Sequence, residues 1–313
     1  MATENANIPK FPFPRPESSY DPPAELKNLR DAGPVHRIQL FDGTNAWIVT
    51  KNKEVCEMLT SEKFSNERYT RQGYPEIHSG GKKGGEKPTF VHMDDPEHSK
   101  QKDMVESFFT LAAVEPLRPE IERAVDLLLD SIKERGCKDG PIDLVQDFSS
   151  LVNPKVIFAL FGASMMDTDQ LAGSSAALGG TSGTAGELGH TDLHEYLSSL
   201  IDDRIQYADR PERDLISKLV IEQYKTGAMG KDDINRLVYM LFVAGNTAIN
   251  SSISLGILSL LQHPKQLNAI RENPRLVKQA VEEILRYHTP SALNSRRVAK
   301  EDVRLGNQVW QSL

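Results

Sequence analysis

The sequence predicts a mainly α-helical protein with a long central helix and a small β element near its N-terminus. Three observations carry this expectation. Apolar residues recur at helical spacing in segment after segment, as in Ile121, Val125, Leu128, Leu129 and Ile132. Period-two alternation is confined to one early stretch, Val35 to Leu40, which an Asp42-Gly43 turn returns along Ala46 to Thr50. Finally, Leu237 to Leu261 is a run of 25 residues without a formal charge.

Taken in order, the N-terminal arm is Pro-rich and extended, with Phe11 and Phe13 available to dock on the body. After the hairpin, a short helix is expected from Lys53 to Thr60. Asp94 or Asp95 caps another that has Pro96 in its first turn and runs to about Phe109. Pro116 to Arg135 forms a third, stopped by Gly136. Helices follow at about 154–161 and 167–178, then a Gly/Ser/Thr-rich loop at 179–190. Further helices are expected over 191–209, 213–224, 232–262, 264–272 and 275–288, and a strand starts near Val303. The central helix, 31 residues over 232–262, is about 46 Å long at 1.5 Å per residue. Its middle is expected to be buried on most sides.

Composition excludes several classes. Charged residues make up 26% of 313 and hydrophobic residues 39%, a balance too polar for a membrane protein and too apolar for disorder. A net charge of -7 argues against a nucleic-acid partner, since duplex binding wants a concentrated positive face. Cys56 and Cys137, the two cysteines, are too few for a disulfide framework or a cysteine-rich zinc site. Leu237 to Leu261 is long enough to cross a bilayer, but Asn246, Thr247, Asn250, Ser251, Ser252 and Ser254 would lie in hydrocarbon. A soluble helix fits better, and the N-terminus shows no signal or presequence pattern. A cytoplasmic protein that binds no membrane is expected. His190 and His194 share a helix face, but nothing nearby completes a coordination set, so no metal site is assigned to them.

Four polar features stand out along the chain. Met93-Asp94-Asp95-Pro96-Glu97-His98 opens a helix on which His98 and Lys102 share a face. Ala244-Gly245-Asn246-Thr247-Ala248 places small and polar residues where a core helix would carry Leu or Ile. Small residues let a flat group, or another helix, approach the backbone. Glu283 and Arg286 stand at i, i+3. Arg296 and Arg297 precede a short β-prone stretch.

In this combination the chain resembles the cytochrome P-450 family of heme-thiolate proteins, most closely its fungal nitric oxide reductase branch. The stretches LFDGTNAWIVTKNKEVC, TRQGYPEI, KPTFVHMDDPEH, LFVAGNTA and RYHTPSALNSRRVAKEDV carry the resemblance, which runs from about Phe11 to about Gly306. It implies a single cytochrome P-450 domain over 1–313, mainly α, with heme b as cofactor. His98, Lys102 and Arg297 would hold the heme propionates, and Ala244 and Gly245 would line the ring. The family usually carries Arg where Lys102 stands, and an ammonium loses the bidentate fork. Glu283 and Arg286 would be structural, forming a buried bridge that supports the heme-ligand loop.

The resemblance further implies reduction of two nitric oxide molecules to nitrous oxide, the chemistry of fungal denitrification, with electrons taken directly from NADH (or NADPH). No obligatory reductase partner would be needed. Thr247, Ser291 and Asn246 would serve proton delivery. The acid that oxygen-activating members carry in the central helix is missing, which agrees with that branch; Ala248, however, stands where the branch keeps a hydroxyl. Arg68, Arg71, Lys82, Lys83 and Arg296 would form a positive funnel for the dinucleotide. A monooxygenase using a redox partner, and a non-catalytic protein, are the alternatives. Heme-thiolate chemistry needs a cysteine in a Phe-x-x-Gly-x-x-x-Cys-x-Gly setting, and neither Cys56 nor Cys137 has it. The expectation is therefore an incomplete cytochrome P-450 fold, truncated before its ligand loop and inactive as written.

Overall fold

A computed structural model describes residues 8–14, 21–77, 87–138, 140–163, 184–211, 214–288, 295–306 and 308–310. The chain divides into two compact units, residues 1–101 with 292–313 and residues 102–291. The helices are α1 (Ala24–Ala32), α2 (Asn52–Thr60), α3 (Glu97–Glu106), α4 (Leu111–Val114), α5 (Arg118–Arg135), α6 (Ser150–Phe161), α7 (Thr184–Tyr207), α8 (Leu215–Leu219), α9 (Lys231–Gln262), α10 (Pro264–Glu272) and α11 (Val277–Tyr287). The strands are β1 (Val35–Gln39), β2 (Asn45–Val49), β3 (Phe64–Ser65), β4 (Val298–Ala299), β5 (Val303–Leu305) and β6 (Gln308–Trp310). The division between the units falls within α3.

Unit 1 is built on three antiparallel strand pairs, β1-β2, β3-β4 and β5-β6. The hairpin pairs Val35 with Val49 and Ile38 with Ala46, and Gly43 takes the left-handed conformation that its turn requires (φ 84°). Its two faces pack on separate apolar clusters. Ile38, Leu40, Ala46 and Ile48 join Phe13 and Ile77 on one side, while Val35 and Val49 join Met58, Phe64 and Leu305 on the other. The N-terminal arm docks as expected: Phe13 is buried, and the Phe11 N–H donates to the Gln39 carbonyl at 2.8 Å. Beyond the arm the chain forms α1, a helix the Pro-rich reading did not anticipate.

In unit 2 the core is aromatic and aliphatic. Phe158 of α6 meets Phe242 of α9 at 5.0 Å and Tyr196 of α7 at 5.4 Å between ring centres. Leu197, Ile201, Leu215, Ile216, Leu219, Ile234, Leu237 and Val238 fill the space around them with no exposed surface. Burying each such side chain contributes roughly 1.5–3 kcal/mol. Sequence and structure differ at several boundaries. A π-helical turn, Val145–Ser149, leads into α6, which starts earlier than expected and carries Pro154 in its interior. Another π turn, Val220–Tyr224, extends α8. Helix α7 begins at Thr184, inside the stretch read as a loop, and the helix expected over 167–178 lies outside the described residues.

The central helix α9 runs from Lys231 to Gln262, within one residue of expectation, but its middle is not buried on most sides. Phe242 and Asn246 are buried, whereas Ala244, Thr247, Ala248 and Ile249 are exposed. It is the one helix among the described residues long and apolar enough to cross a membrane, and 22% of its apolar window is buried.

One buried polar cluster locks the end of α6. Arg204 of α7 donates from Nε to Asp214 Oδ2 at 3.1 Å and from Nη2 to the Gly162 carbonyl at 2.6 Å. Asp214 also caps α8, accepting from the Ser217 N–H at 2.7 Å. Gly162 sits at φ 83°, and a Cβ there would stand 2.3 Å from Asp214 Cγ. Gly162→Ala is therefore expected to lose about 1–2 kcal/mol from the left-handed backbone alone, and more from displacing Asp214. Urea unfolding of the variant measures the sum.

Candidate functional site

Unit 1 gathers the cationic residues around a single carboxylate. Arg68 forks onto Glu76, Nε to Oε1 at 3.0 Å and Nη2 to Oε2 at 2.9 Å. Arg296 reaches the same carboxylate from its Nη1 at 3.1 Å, donates to the Pro75 carbonyl at 3.3 Å, and lies 5.4 Å over the Tyr74 ring. Burial alone would raise the Glu76 pKa, but the hydrogen bonds and charge of Arg68, with Arg296 behind them, hold the carboxyl below its ordinary range. Bidentate pairing of this kind is charge-assisted and directional. It also means that the loop read as a free positive funnel is partly neutralised by its own acid. Arg71 pairs in turn with Glu67 at 3.4 Å, and Lys82 and Lys83 lie outside the described residues.

Next to this triad is Arg297. It is half-buried, and its Nη1 donates to Asn66 Oδ1 at 3.0 Å and to the Arg296 carbonyl at 2.8 Å. Both acceptors are neutral, and among the described residues no carboxylate pairs with it. Asn66 is fixed by its own N–H to Asp94 Oδ1 at 2.8 Å and by its side chain to the Val91 carbonyl. Asp94 is also the start of the turn that leads to His98, whose N–H donates to the Asp94 carbonyl at 3.0 Å. His98 itself is half-buried and stacked on Phe90, 5.9 Å between centres. Arg68, Arg296 and Arg297 are thus brought together, and His98 is tied to them through Asn66 and Asp94. Lys102, the first residue of unit 2, is exposed and pairs with Glu106 at 3.1 Å.

His92 was not singled out in the sequence. Its Nδ1 is buried without a hydrogen-bond partner among the described residues. Burial, and then the charges of Arg68 and Arg296, push its pKa below the ordinary histidine value. Only the fold places this histidine beside two guanidiniums, so no local motif signals it.

In unit 2 the polar break of α9 is held by α6. Asn153 Nδ2 donates to the Gly245 carbonyl at 2.8 Å and to the Asn246 carbonyl at 3.2 Å, and lies 3.3 Å from Asn246 Oδ1. Gly245 permits this approach: a Cβ there would meet Ile157 Cδ1 at 3.2 Å. Asn246 consequently turns into the helix interface and is 1% exposed, with its Nδ2 unpartnered among the described residues. One residue on, 100° around the helix, Thr247 is exposed, as are Ala244 and Ala248. Asn246 and Thr247, read together as proton-delivery residues, therefore face different ways. Ser291 lies outside the described residues.

The Glu283–Arg286 pair needs correction in one respect. It forms, Nε to Oε2 and Nη2 to Oε1 both at 2.6 Å, but on the solvent face of α11, with 59% and 68% of the two side chains exposed. The helix turns Ile284 toward α9 instead, against Gly256, where a Cβ would come within 2.9 Å of it. An apolar contact on one face thus directs the charged pair outward. The cysteines are exposed as well: Cys56 lies against Asn52 on α2 at 3.8 Å, and Cys137 follows the C-cap of α5. Among the described residues no cluster of His, Cys, Asp and Glu is arranged to hold a metal ion.

Two predictions follow from this geometry. His92 has a folded pKa below its unfolded one, so its contribution to stability is complete above about pH 6.5 and is lost as pH falls through that value toward the folded pKa. The depressed Glu76 carboxyl adds a second loss at lower pH, below about 4.3. Denaturation midpoints should therefore fall between pH 7 and 5.5, and His92→Gln should flatten that part of the curve. In unit 2, Asn153→Ala should cost about 1–3 kcal/mol by leaving a buried polar seam incomplete, measurable by urea unfolding.

Comparison with known proteins bears on the family of the chain. The family model for cytochrome P450 matches residues 187–310. Cytochrome P450 55A3 of Fusarium lichenicola is 42% identical over 309 residues, covering 98% of this chain and 74% of its own length. Vitamin D3 dihydroxylase of Streptomyces griseolus is 32% identical, covering 96% and 73%. Among solved structures, that of GfsF has a TM-score of 0.86 at 30% identity, covering 97% of this chain and 76% of that one. The helical fold with its small sheets and the relatives that align along nearly all of it make this chain a member of the cytochrome P450 family of oxidoreductases.

Proposed function

We propose that this chain carries the heme-binding and dinucleotide-binding elements of an NADH-dependent nitric oxide reductase. The observation that carries the reading is the α9 break. Ala244, Thr247 and Ala248 leave an exposed face of small side chains, without the acid that dioxygen activation uses. Similarity to the Fusarium relative supports the same branch.

The family implies heme, and the residues fit it in part. Arg297, half-buried among neutral acceptors, has the charge and the spare donors that a propionate would take, with His98 nearby in the same unit. The small-residue face of α9 admits a flat ring, whose iron supplies the redox chemistry when bound. An axial thiolate is not supplied by either cysteine, since both are exposed in other surroundings. The residues present therefore do not complete a heme-thiolate centre, and these 313 residues by themselves are not expected to turn over.

The chain's own residues do the rest. Glu76 fixes the guanidiniums of Arg68 and Arg296, so that dinucleotide phosphates would meet a preorganised pair; Arg71, Lys82 and Lys83 are assigned to the same dinucleotide site from the sequence alone. Thr247, exposed on α9, offers a hydroxyl, and Ser291 is assigned to assist proton transfer. Asn246 holds the helix in register with α6. The reaction takes nitric oxide as substrate and no reductase partner, in a cytoplasmic setting.

A second reading, a monooxygenase served by a redox partner, draws on the Streptomyces relatives. NADH titration followed by its fluorescence tests the first reading. Affinity should fall with rising salt and about tenfold in Arg296→Gln, which removes one charge-assisted contact. Salt-independent binding, or none, favours the second. Heme-loaded protein should give no thiolate-type Soret band with carbon monoxide; such a band would overturn the proposed inactivity. If turnover then required dioxygen and an added reductase, the monooxygenase reading would replace the first.

A further inference from the structure

The proposed function leaves His92 without a task, although the fold builds it into the same cluster as Arg68 and Arg296. It ends the short 3-10 turn Phe90–His92, which two contacts hold against the arginine segment. The Val91 carbonyl accepts from the Asn66 side chain. The His92 ring meets the Tyr69 ring edge-on, 5.4 Å between centres, and the Arg68 guanidinium lies 5.7 Å from the centre of that same Tyr69 ring. Neither ring nitrogen of His92 makes a hydrogen bond among the described residues, and Nδ1 is buried.

The charged groups that face His92 are Arg68, Arg296 and Glu76. On its own segment, Asp94 pairs with Lys300 at 3.7 Å. Burial disfavours a charge on the imidazole, and two guanidiniums against one carboxylate leave an excess of one positive charge that disfavours it further. His92 is therefore neutral while the cluster is empty. An arriving anion reverses this balance. The guanidiniums are within its reach, since 20% of the Arg68 side chain and 23% of the Arg296 side chain are exposed. Arg68 Nη1 and Arg296 Nε and Nη2 have no acceptor among the described residues. The diphosphate of a dinucleotide carries two negative charges. With Arg297 kept for a propionate, the cluster answers one of them, and a protonated imidazole would answer the other.

We propose that His92 is the titratable third cation of this site: it takes up a proton when the dinucleotide's diphosphate binds, so that NADH is held more tightly as pH falls. The inference rests on the assignment of Arg68 and Arg296 to the dinucleotide. The proton comes from solvent and goes to the imidazole nitrogen that lacks one, and no other bond forms or breaks. Linkage fixes the sign. A ligand that favours the charged form raises the pKa of His92 in the complex above that of the free protein, and affinity climbs as pH drops between the two values. The diphosphate is a diester with no proton to exchange near neutral pH, and Glu76 is already ionised there.

The test titrates the full 313-residue chain with NADH at fixed ionic strength, at about pH 8 and about pH 6, on either side of the ordinary histidine value. Fluorescence gives the affinity, and calorimetry in two buffers of different ionisation enthalpy gives the proton uptake. Affinity should rise about tenfold at the lower pH, with uptake approaching about one proton per NADH. His92→Gln should match the parent at the higher pH, lose the gain at the lower one and take up no proton. His92→Arg, charged throughout this range, should bind tightly at both and also take up none. Circular dichroism checks that each variant is folded, and the parent's proton uptake is read without any substitution. A parent that binds NADH with no proton uptake, or a pH gain kept in His92→Gln, would overturn the proposal and leave the dinucleotide assignment standing. Absence of NADH binding to the parent at both pH values would overturn that assignment, and this proposal with it.

Discussion

The amide of Asn153, set against the carbonyls of Gly245 and Asn246, is the contact on which unit 2 turns. A long helix has no intrinsic preference for which side meets its neighbours when its middle is small and polar. Asn153 supports one orientation there. By satisfying backbone groups where the middle of α9 lacks a bulky side chain, it continues the rotation set by the buried stripe of Ile234, Leu237, Val238 and Phe242. Phe242 then faces Phe158 in the core, and Ala244, Thr247 and Ala248 face outward. The Ser149–Ser254 contact at 2.8 Å continues the same polar seam toward the C-terminal end of the helix. Partly satisfied polar seams are costly in a core, and here two amide atoms, Asn246 Nδ2 and Asn250 Oδ1, are left without a partner among the described residues.

Unit 1 depends on a comparable economy of charge. One carboxylate, Glu76, orients two guanidiniums and sits near a histidine that the same guanidiniums help to keep neutral. Arg297 is left with oxygen atoms that carry no charge, and this distinguishes it from the other cations of the cluster. A tally of basic and acidic residues in the loop treats all of these as equivalent. The fold sorts them into arginines engaged with Glu76 and one whose charge is unanswered among the described residues.

Much of the fold was legible in the residues, for identifiable reasons. Asp42-Gly43 specifies the hairpin because Gly43 reaches positive φ without a Cβ penalty, and Gly136 ends α5 for the same reason. Pro264 opens α10 as a first-turn proline should, and the segment ends at Glu272 as its pattern implies. The failures share a different cause. Helix α1 follows a Pro-rich stretch that obscured it. The start of α7 falls among glycines, and the π turns before α6 and within the α8 segment depend on packing rather than propensity. The Glu283–Arg286 spacing was read correctly as a pair, but spacing says nothing about which side of a helix is covered.

Local chemistry in the sequence determined the elements, the spacing of Glu283 with Arg286, the missing acid in α9 and the lack of a cysteine in a heme-ligand setting, because each is a property of neighbouring residues. Only tertiary structure decided that Asn246 turns inward while Thr247 turns outward, that His92 lies beside Arg68 and Arg296, and that Glu76 gathers Arg68 and Arg296 onto one carboxylate. Those outcomes rest on contacts between residues tens to hundreds of positions apart. Burial, charge partnership and strand pairing arise from such contacts, and no short window of sequence contains them.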